Sequence, residues 1–284
     1  MSKATPPSAD EDPTRGRKIV FEDDFKRLDT TIWEGGAKAT TAPQGYYGRS
    51  VFAPIGGVEG VDPYSIVEDN QAENGKALQI AAVYVGRKMN VRNYYGNDLK
   101  EFQWVSGNLQ TARKDGTVRA GWRRGYFEAR MKFPLHPLSW PAFWMLNRSC
   151  ILSWKKAIEL DIVEHKGWEP HGYGAYLHEW GGNEHHSSTG AETGFDLTRA
   201  YYRYGMLVED DRCTPYFERR IVRDTKTGKP NVWPLTRAPE MNAEDDLFWP
   251  LLTLALRTDV PFPIPLDAHD KVTHMRVDYF RVYA

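Results

Sequence analysis

Hydrophobic and polar positions alternate along this chain in short runs, not in helical turns. From Lys18 onward, β-prone segments recur at 18–25, 77–85, 125–133, 142–146, 158–164, 174–180, 203–209, 214–220, 251–256 and 275–283, with turn residues between them. This spacing predicts an all-β sandwich or barrel. Helical periodicity is scarce, with short turns expected at 197–202 and 239–246. Residues 1–17 are polar, contain proline and lack a period, so a disordered tail is expected there. A single domain over 18–284 is expected to follow, long enough for a large core. Segments 40–69 and 88–108 read as long loops and as candidate cleft walls.

One run stands apart. Glu159-Leu160-Asp161-Ile162-Val163-Glu164 sets three carboxylates among β-prone apolar residues. Strand side chains alternate faces, so Glu159 and Asp161 share one. Glu164 would point the other way in a regular strand. One extra residue, a β-bulge near Ile162-Val163, would bring it back. Like charges on one face repel, and glycoside hydrolysis is a chemistry that uses such a row. The bland alternative is a solvated acidic helix or loop, which the apolar residues between the acids disfavour.

Composition narrows the setting. The 284 residues include 37 basic and 38 acidic ones, for a formal net charge of −1. That balance offers no field for nucleic acid or an anionic membrane. Ten Trp, 15 Tyr and 12 Phe suit a cleft whose rings cover the apolar faces of sugars, although many must be core. No apolar run is long enough for a membrane helix. The opening residues lack the apolar region of a signal peptide. Cys150 and Cys213 fit no multi-cysteine zinc pattern, and sequence leaves their pairing open.

Candidate sugar-binding residues follow from strand faces. Trp140, Ala142 and Trp144 share a face, so each indole is either subsite floor or core. Tyr176, His178 and Trp180 share another. Trp122, Arg123 and Arg124 could meet an acidic or sulfated sugar, or form a solvated strand end. The group His178, Glu179, Glu184, His185 and His186 lacks the spacing and the helix of a zinc peptidase.

The acid run resembles the E-x-D-x-x-E signature of glycoside hydrolase family 16, and flanking blocks resemble that family in the same order. These are Phe21–Phe25 with Trp33, Gly125–Arg130 (GYFEAR), Trp140–Leu146 (WPAFWML), His178 with Trp180, and Asp278–Tyr283 (DYFRVY). The resemblance runs from about residue 18 to the last residue. It implies a jelly-roll sandwich of two curved antiparallel sheets with a concave substrate cleft, and retaining endo-hydrolysis of a β-linked polysaccharide. Glu159 would be the nucleophile, Glu164 the acid and then base, and Asp161 an assistant to Glu159. Catalysis would need no cofactor. A structural calcium ion would sit on Glu22, a carbonyl near Gly75, and Asp278. A monomer acting outside the cytoplasm, extracellular or periplasmic, is expected.

The chain also departs from the family. The stretch 147–157 is longer and more basic than the usual turn, 248–264 lacks a Gly-rich segment, and no Asp-Gly marks the 216–223 hairpin. A plain β-1,3-glucan therefore does not follow. A transglycosylase and a non-catalytic sugar-binding jelly roll are the alternatives.

Overall fold

A computed structural model describes residues 12–39, 48–92, 99–113, 115–181, 184–236, 246–258 and 271–284. Two sheets dominate it. One has seven strands in the order His185–Glu192, Gly172–Glu179, Ile158–Glu164, Ser139–Asn147, Phe248–Leu256, Asn108–Gln110 and Glu34–Gly35. The other has eleven, with Val272–Tyr283 at its centre between Gly125–Lys132 and Lys76–Arg92. Pairing is antiparallel apart from Ser50–Phe52, which runs parallel to Leu99–Ser106. Each predicted β segment overlaps a strand. Among the described residues, helix is limited to Ser149–Leu152 and a 3-10 turn at Trp154–Lys156, and none is long and apolar enough to cross a membrane.

The alternation fixes what faces what. In Ser139–Asn147, Phe143 and Met145 enter the main core between the sheets, whereas Ala142, Trp144 and Leu146 face outward into a second cluster. The main core gathers Leu160, Ile162, Val163 and Leu177 from one sheet and Phe127, Met131, Val277 and Phe280 from the other. Each such side chain contributes about 1.5–3 kcal/mol through burial. The second cluster lies under Ser149–Leu152, where Cys150 and Ile151 pack on Leu146, Trp249 and Leu251. Asn147 fastens this segment: its amide donates to the Lys156 carbonyl and to Asp246, and its oxygen accepts from the Ile158 N–H.

Several expectations are corrected. The described residues of 88–108 are largely strand and not loop, because Lys76–Arg92 pairs antiparallel with Leu99–Ser106. The stretch 197–202 makes turns but no helix, and 239–245 lies outside the described residues. Of the predicted tail, 1–11 also lies outside them, whereas 12–17 forms hydrogen-bonded turns around a buried Pro13. The strand His185–Glu192 escaped the sequence reading because its exposed, polar residues carry little hydrophobic alternation. The 216–223 hairpin turns without Asp-Gly: Glu218 and Arg219 adopt φ of 48° and 60°. Such backbone costs about 1–3 kcal/mol per residue. Arg219 offsets it with two 2.9 Å bonds to the buried carboxylate of Glu128.

Candidate active site

The bulge forms where the acid run requires it. Asp161 faces Trp144 across one neighbour and Tyr176 across the other. Val163 then pairs with Phe143 and Glu164 with Ala142, leaving Ile162 as the extra residue. The slip sends Ile162 and Val163 to the core. It returns Glu164 to the face of Glu159 and Asp161. Gly174, opposite Glu164, leaves the space that the Tyr176 ring fills; a Cβ there would collide with it.

Aromatic rings line this face. Trp180 Nε1 donates to Glu159 Oε2 at 3.4 Å. Trp140 donates to Glu164. His178 stacks between Tyr176 and Trp180, with ring centres 5.8 and 5.0 Å away. Its Nε2 lies 3.6 Å from Asp161 Oδ2, and its Nδ1 shares a proton with His186 Nδ1 at 2.9 Å. Trp144 is different. It is 5 % exposed and its indole donates to Thr253 at 2.8 Å, so it supports the floor from below and presents no platform to a sugar.

Burial dominates the electrostatics. It pushes all three carboxyls up, Asp161 far above the usual carboxylate range because Glu159 and Glu164 flank it. Glu164 rises to about 7, from burial first and the Glu159 charge second. His178 falls to about 4 through burial and the neighbouring His186, so it is neutral at pH 7. The site thus combines a carboxyl that holds its proton near neutrality with a neighbour that accepts an indole N–H. This combination suits proton donation beside a carboxylate.

Other predicted residues lie elsewhere. Trp122 packs against Phe21, Phe127 and Phe280 at the edge of the main core, while its backbone bridges Phe248. Arg124 pairs with exposed Asp210 and with the Arg123 carbonyl. Neither reaches the acids. Strand alternation also splits the His/Glu group: His178 and His186 face the cleft, whereas Glu179 is buried with His185 and Thr236. Cys150 and Cys213 are both buried and unbonded, in separate clusters. Among the described residues, the one group of three with metal-ligating spacing is Glu159, Asp161 and His178, which belongs to the acid row itself.

The expected calcium donors do not fit that ion. Glu22 accepts from Arg281 Nε at 2.6 Å, and Asp278 accepts from Arg130 and from the Glu73 N–H at 3.0 Å. Arg281 bridges onward to Glu73 at 3.0 Å. The Gly75 carbonyl, in a turn that needs φ of +74°, accepts from the Asp69 N–H. Guanidinium groups therefore supply the positive charge that the ion would bring. Adding EDTA or millimolar calcium is expected to leave Tm unchanged. A calcium-dependent rise of several degrees, read by thermal unfolding, would contradict this.

Sequence reasoning missed Lys38, Trp154 and His186. Lys38 and Trp154 lie on connecting segments without periodicity, and His186 lies on the polar strand. Trp154 sits 6.0 Å from Trp180 and Lys38 lies 4.4 Å above the Trp154 ring.

The two-sheet jelly roll, with its carboxylate row on the outward face of one sheet, is a fold shared with solved glycanases. No model of a known protein family matches the chain. It is 25 % identical over 279 residues to glucan endo-1,3-beta-glucosidase A1 of Niallia circulans, covering 94 % of this chain and 38 % of that protein. It is 24 % identical over 281 residues to endo-1,3-1,4-beta-glycanase ExsH of Rhizobium meliloti, covering 93 % and 51 %. The chain spans about half the length, or less, of these curated relatives. The laminarinase catalytic domain of Thermotoga petrophila superposes with a TM-score of 0.63 at 21 % identity, covering 94 % and 98 % of the two chains. A family 16 mixed-linkage glucan enzyme of Bacteroides ovatus gives 0.62 at 16 %, covering 93 % and 100 %. The chain shares the fold of these family 16 enzymes.

Proposed function

We propose that this chain is a retaining endo-hydrolase of a β-linked polysaccharide. The observation that carries the reading is the bulge at Ile162, which aligns Glu159, Asp161 and Glu164 on one face. In the first step a Glu159 oxygen attacks the anomeric carbon while Glu164 gives its proton to the glycosidic oxygen. The C–O bond breaks and a glycosyl ester forms on Glu159. In the second step Glu164, now ionised, takes a proton from water as the water oxygen attacks the same carbon. The ester breaks and Glu159 leaves as a carboxylate. Two inversions give net retention, which needs the two carboxyls roughly 5–5.5 Å apart.

The other residues act on these two. Trp180 holds one oxygen of Glu159 and leaves the other to attack. Asp161, raised well above the usual carboxylate range by burial and then by its acidic neighbours, adds no second negative charge beside Glu159. Its O–H can donate a hydrogen bond to the carboxylate of Glu159 as that group departs. Neutral His178 walls the site between two rings.

The similar proteins are a glucan endo-1,3-beta-glucosidase and an endo-1,3-1,4-beta-glycanase, so polymers with those linkages come first in the test. A polymer substrate also suits a monomer working outside the cytoplasm. Purified protein would be incubated with laminarin, mixed-linkage glucan, agarose, carrageenan, porphyran, galactans and bacterial exopolysaccharides, scoring new reducing ends and product anomers. Expected is mid-chain cleavage of one polymer class, with the β-anomer formed first. Binding to a polymer without cleavage would replace this reading with a sugar-binding jelly roll. Products longer than the starting oligosaccharide would indicate transglycosylation.

A further inference from the structure

Lys38 is 2 % exposed, although lysine is a residue seldom buried without a partner charge. It follows the edge strand Glu34–Gly35, and its segment is drawn across the cleft face by side chains of the next strand. Gln110 Nε2 donates to the Ala37 carbonyl and Gln110 Oε1 accepts from the Ala39 N–H, both at 2.9 Å. Asn108 Nδ2 donates to the Gly36 carbonyl at 2.8 Å. Lys38 is thereby clamped on both sides along the backbone.

Its ammonium lies 4.4 Å from the centre of the Trp154 ring and 5.7 Å from that of Trp144. Trp144 is the cross-strand partner of Asp161. Trp154 is 6.0 Å from Trp180, whose indole holds Glu159. The cation therefore occupies the same layer of side chains as the acids, behind indoles that separate it from solvent. Cations over indoles gain about 0.5–2 kcal/mol, far less than burying an isolated ammonium costs. The balance comes from Glu159, the foremost charge holding up the proton affinity that burial takes from Lys38.

We propose that Lys38 is a positioning residue for the nucleophile, a buried cation that keeps Glu159 ionised beside two other carboxyl groups. This rests on the reading of Glu159 as nucleophile. The groups facing Glu159 support it. Its own strand offers Asp161 and Glu164, both acidic. The two strands beyond offer His178, neutral at pH 7, and His186. The helix offers the Cys150 thiol, pushed up by burial. The strand Ser139–Asn147 presents Ala142, Trp144 and Leu146, which do not titrate. Burial raises Glu159, and Lys38 is the strongest influence in the opposite direction, ahead of the Trp180 bond and His186. Because the ammonium is enclosed, it serves an internal charge and no anionic sugar substituent.

The test compares Lys38→Met with Lys38→Arg. For the polymer that the wild type cleaves, the acid limb of the kcat/KM profile reports the nucleophile. Without the cation Glu159 takes up a proton more easily, so the limb in Lys38→Met is expected to move up by about one pH unit. In Lys38→Arg it stays near the wild-type position. A second reading needs no activity: Tm of Lys38→Met measured with Glu159 and with Glu159→Gln. The loss is expected to be larger with Glu159, since only then does the substitution leave a buried charge uncompensated. An unmoved acid limb together with equal Tm losses in both backgrounds would make Lys38 a packing residue and overturn the proposal. If the wild type cleaves no polymer, the Tm comparison alone decides for or against Lys38, and the failure belongs to the reading of the activity.

Discussion

Glu159→Gln is expected to abolish polysaccharide cleavage while leaving the fold at least as stable as the wild type. The amide keeps the size of the side chain and can still accept from Trp180, but it cannot form the glycosyl ester. Losses on removing a nucleophile run to roughly 10⁴-fold or more in kcat. The stability forecast follows from the same geometry. Glu159, Asp161 and Glu164 crowd one buried strand face, and each raises the cost of ionising the next. Removing one ionisable member relieves that repulsion, although it leaves Lys38 with less compensation, so the gain is small. Reducing-end assays paired with thermal unfolding at pH 7 check both parts. Full activity would remove Glu159 from the mechanism. Loss of activity with a large fall in Tm would mean that Glu159 is needed for folding.

The second large effect concerns Glu164 and pH. In the proposed mechanism its carboxyl must be protonated to serve the leaving group, and its ordinary value of 4.5 is raised to about 7 by burial and by Glu159. Activity should therefore fall as pH rises through about 7, giving the basic limb of the profile. Glu164→Gln should remove that limb and cost roughly 10²–10⁴-fold on natural polymers. The loss should be smaller on aryl glycosides, whose leaving groups need no proton. The same shift bears on stability. The folded state holds this proton more tightly than the unfolded chain, so the stabilising contribution is present below 4.5 and is lost as pH rises through 7. The difference amounts to at most about 3 kcal/mol. Denaturant unfolding of wild type and Glu164→Gln at pH 5 and pH 8 measures it. The variant should gain relative to wild type at pH 8. A basic limb that persists unchanged in the variant would assign the proton to another group.

Most of the site's chemistry was legible in one strand. Alternation placed Glu159 and Asp161 together, and the five-residue offset of Glu164 demanded a bulge that the structure has at Ile162. Ring stacking of Tyr176, His178 and Trp180 likewise followed from their period of two. Local pattern sufficed in these cases because a strand dictates the direction of its side chains whatever packs against it.

It did not suffice for residues whose role depends on what arrives from far along the chain. Trp144 and Trp140 share a strand and a face, yet one is buried with its indole bonded to Thr253 and the other bonds Glu164. Trp122 and Arg124 stand beside a family-like motif, but the ring of one enters the main core and the other pairs with Asp210. Glu22 and Asp278 have the chemistry of calcium ligands, and arginines from other strands take their oxygens. Lys38 carries no motif at all; it enters the site because Gln110, more than 70 residues away, straps it across the sheet. Local pattern was enough for the strands, their faces and the acid row, which are properties of neighbours a few residues apart. Only the tertiary structure decided which aromatic is floor and which is wall, which carboxylate meets a guanidinium, and which lysine is shut in with the acids. Those outcomes depend on long-range packing and on the loss of water around charge, and neither is written in any local pattern.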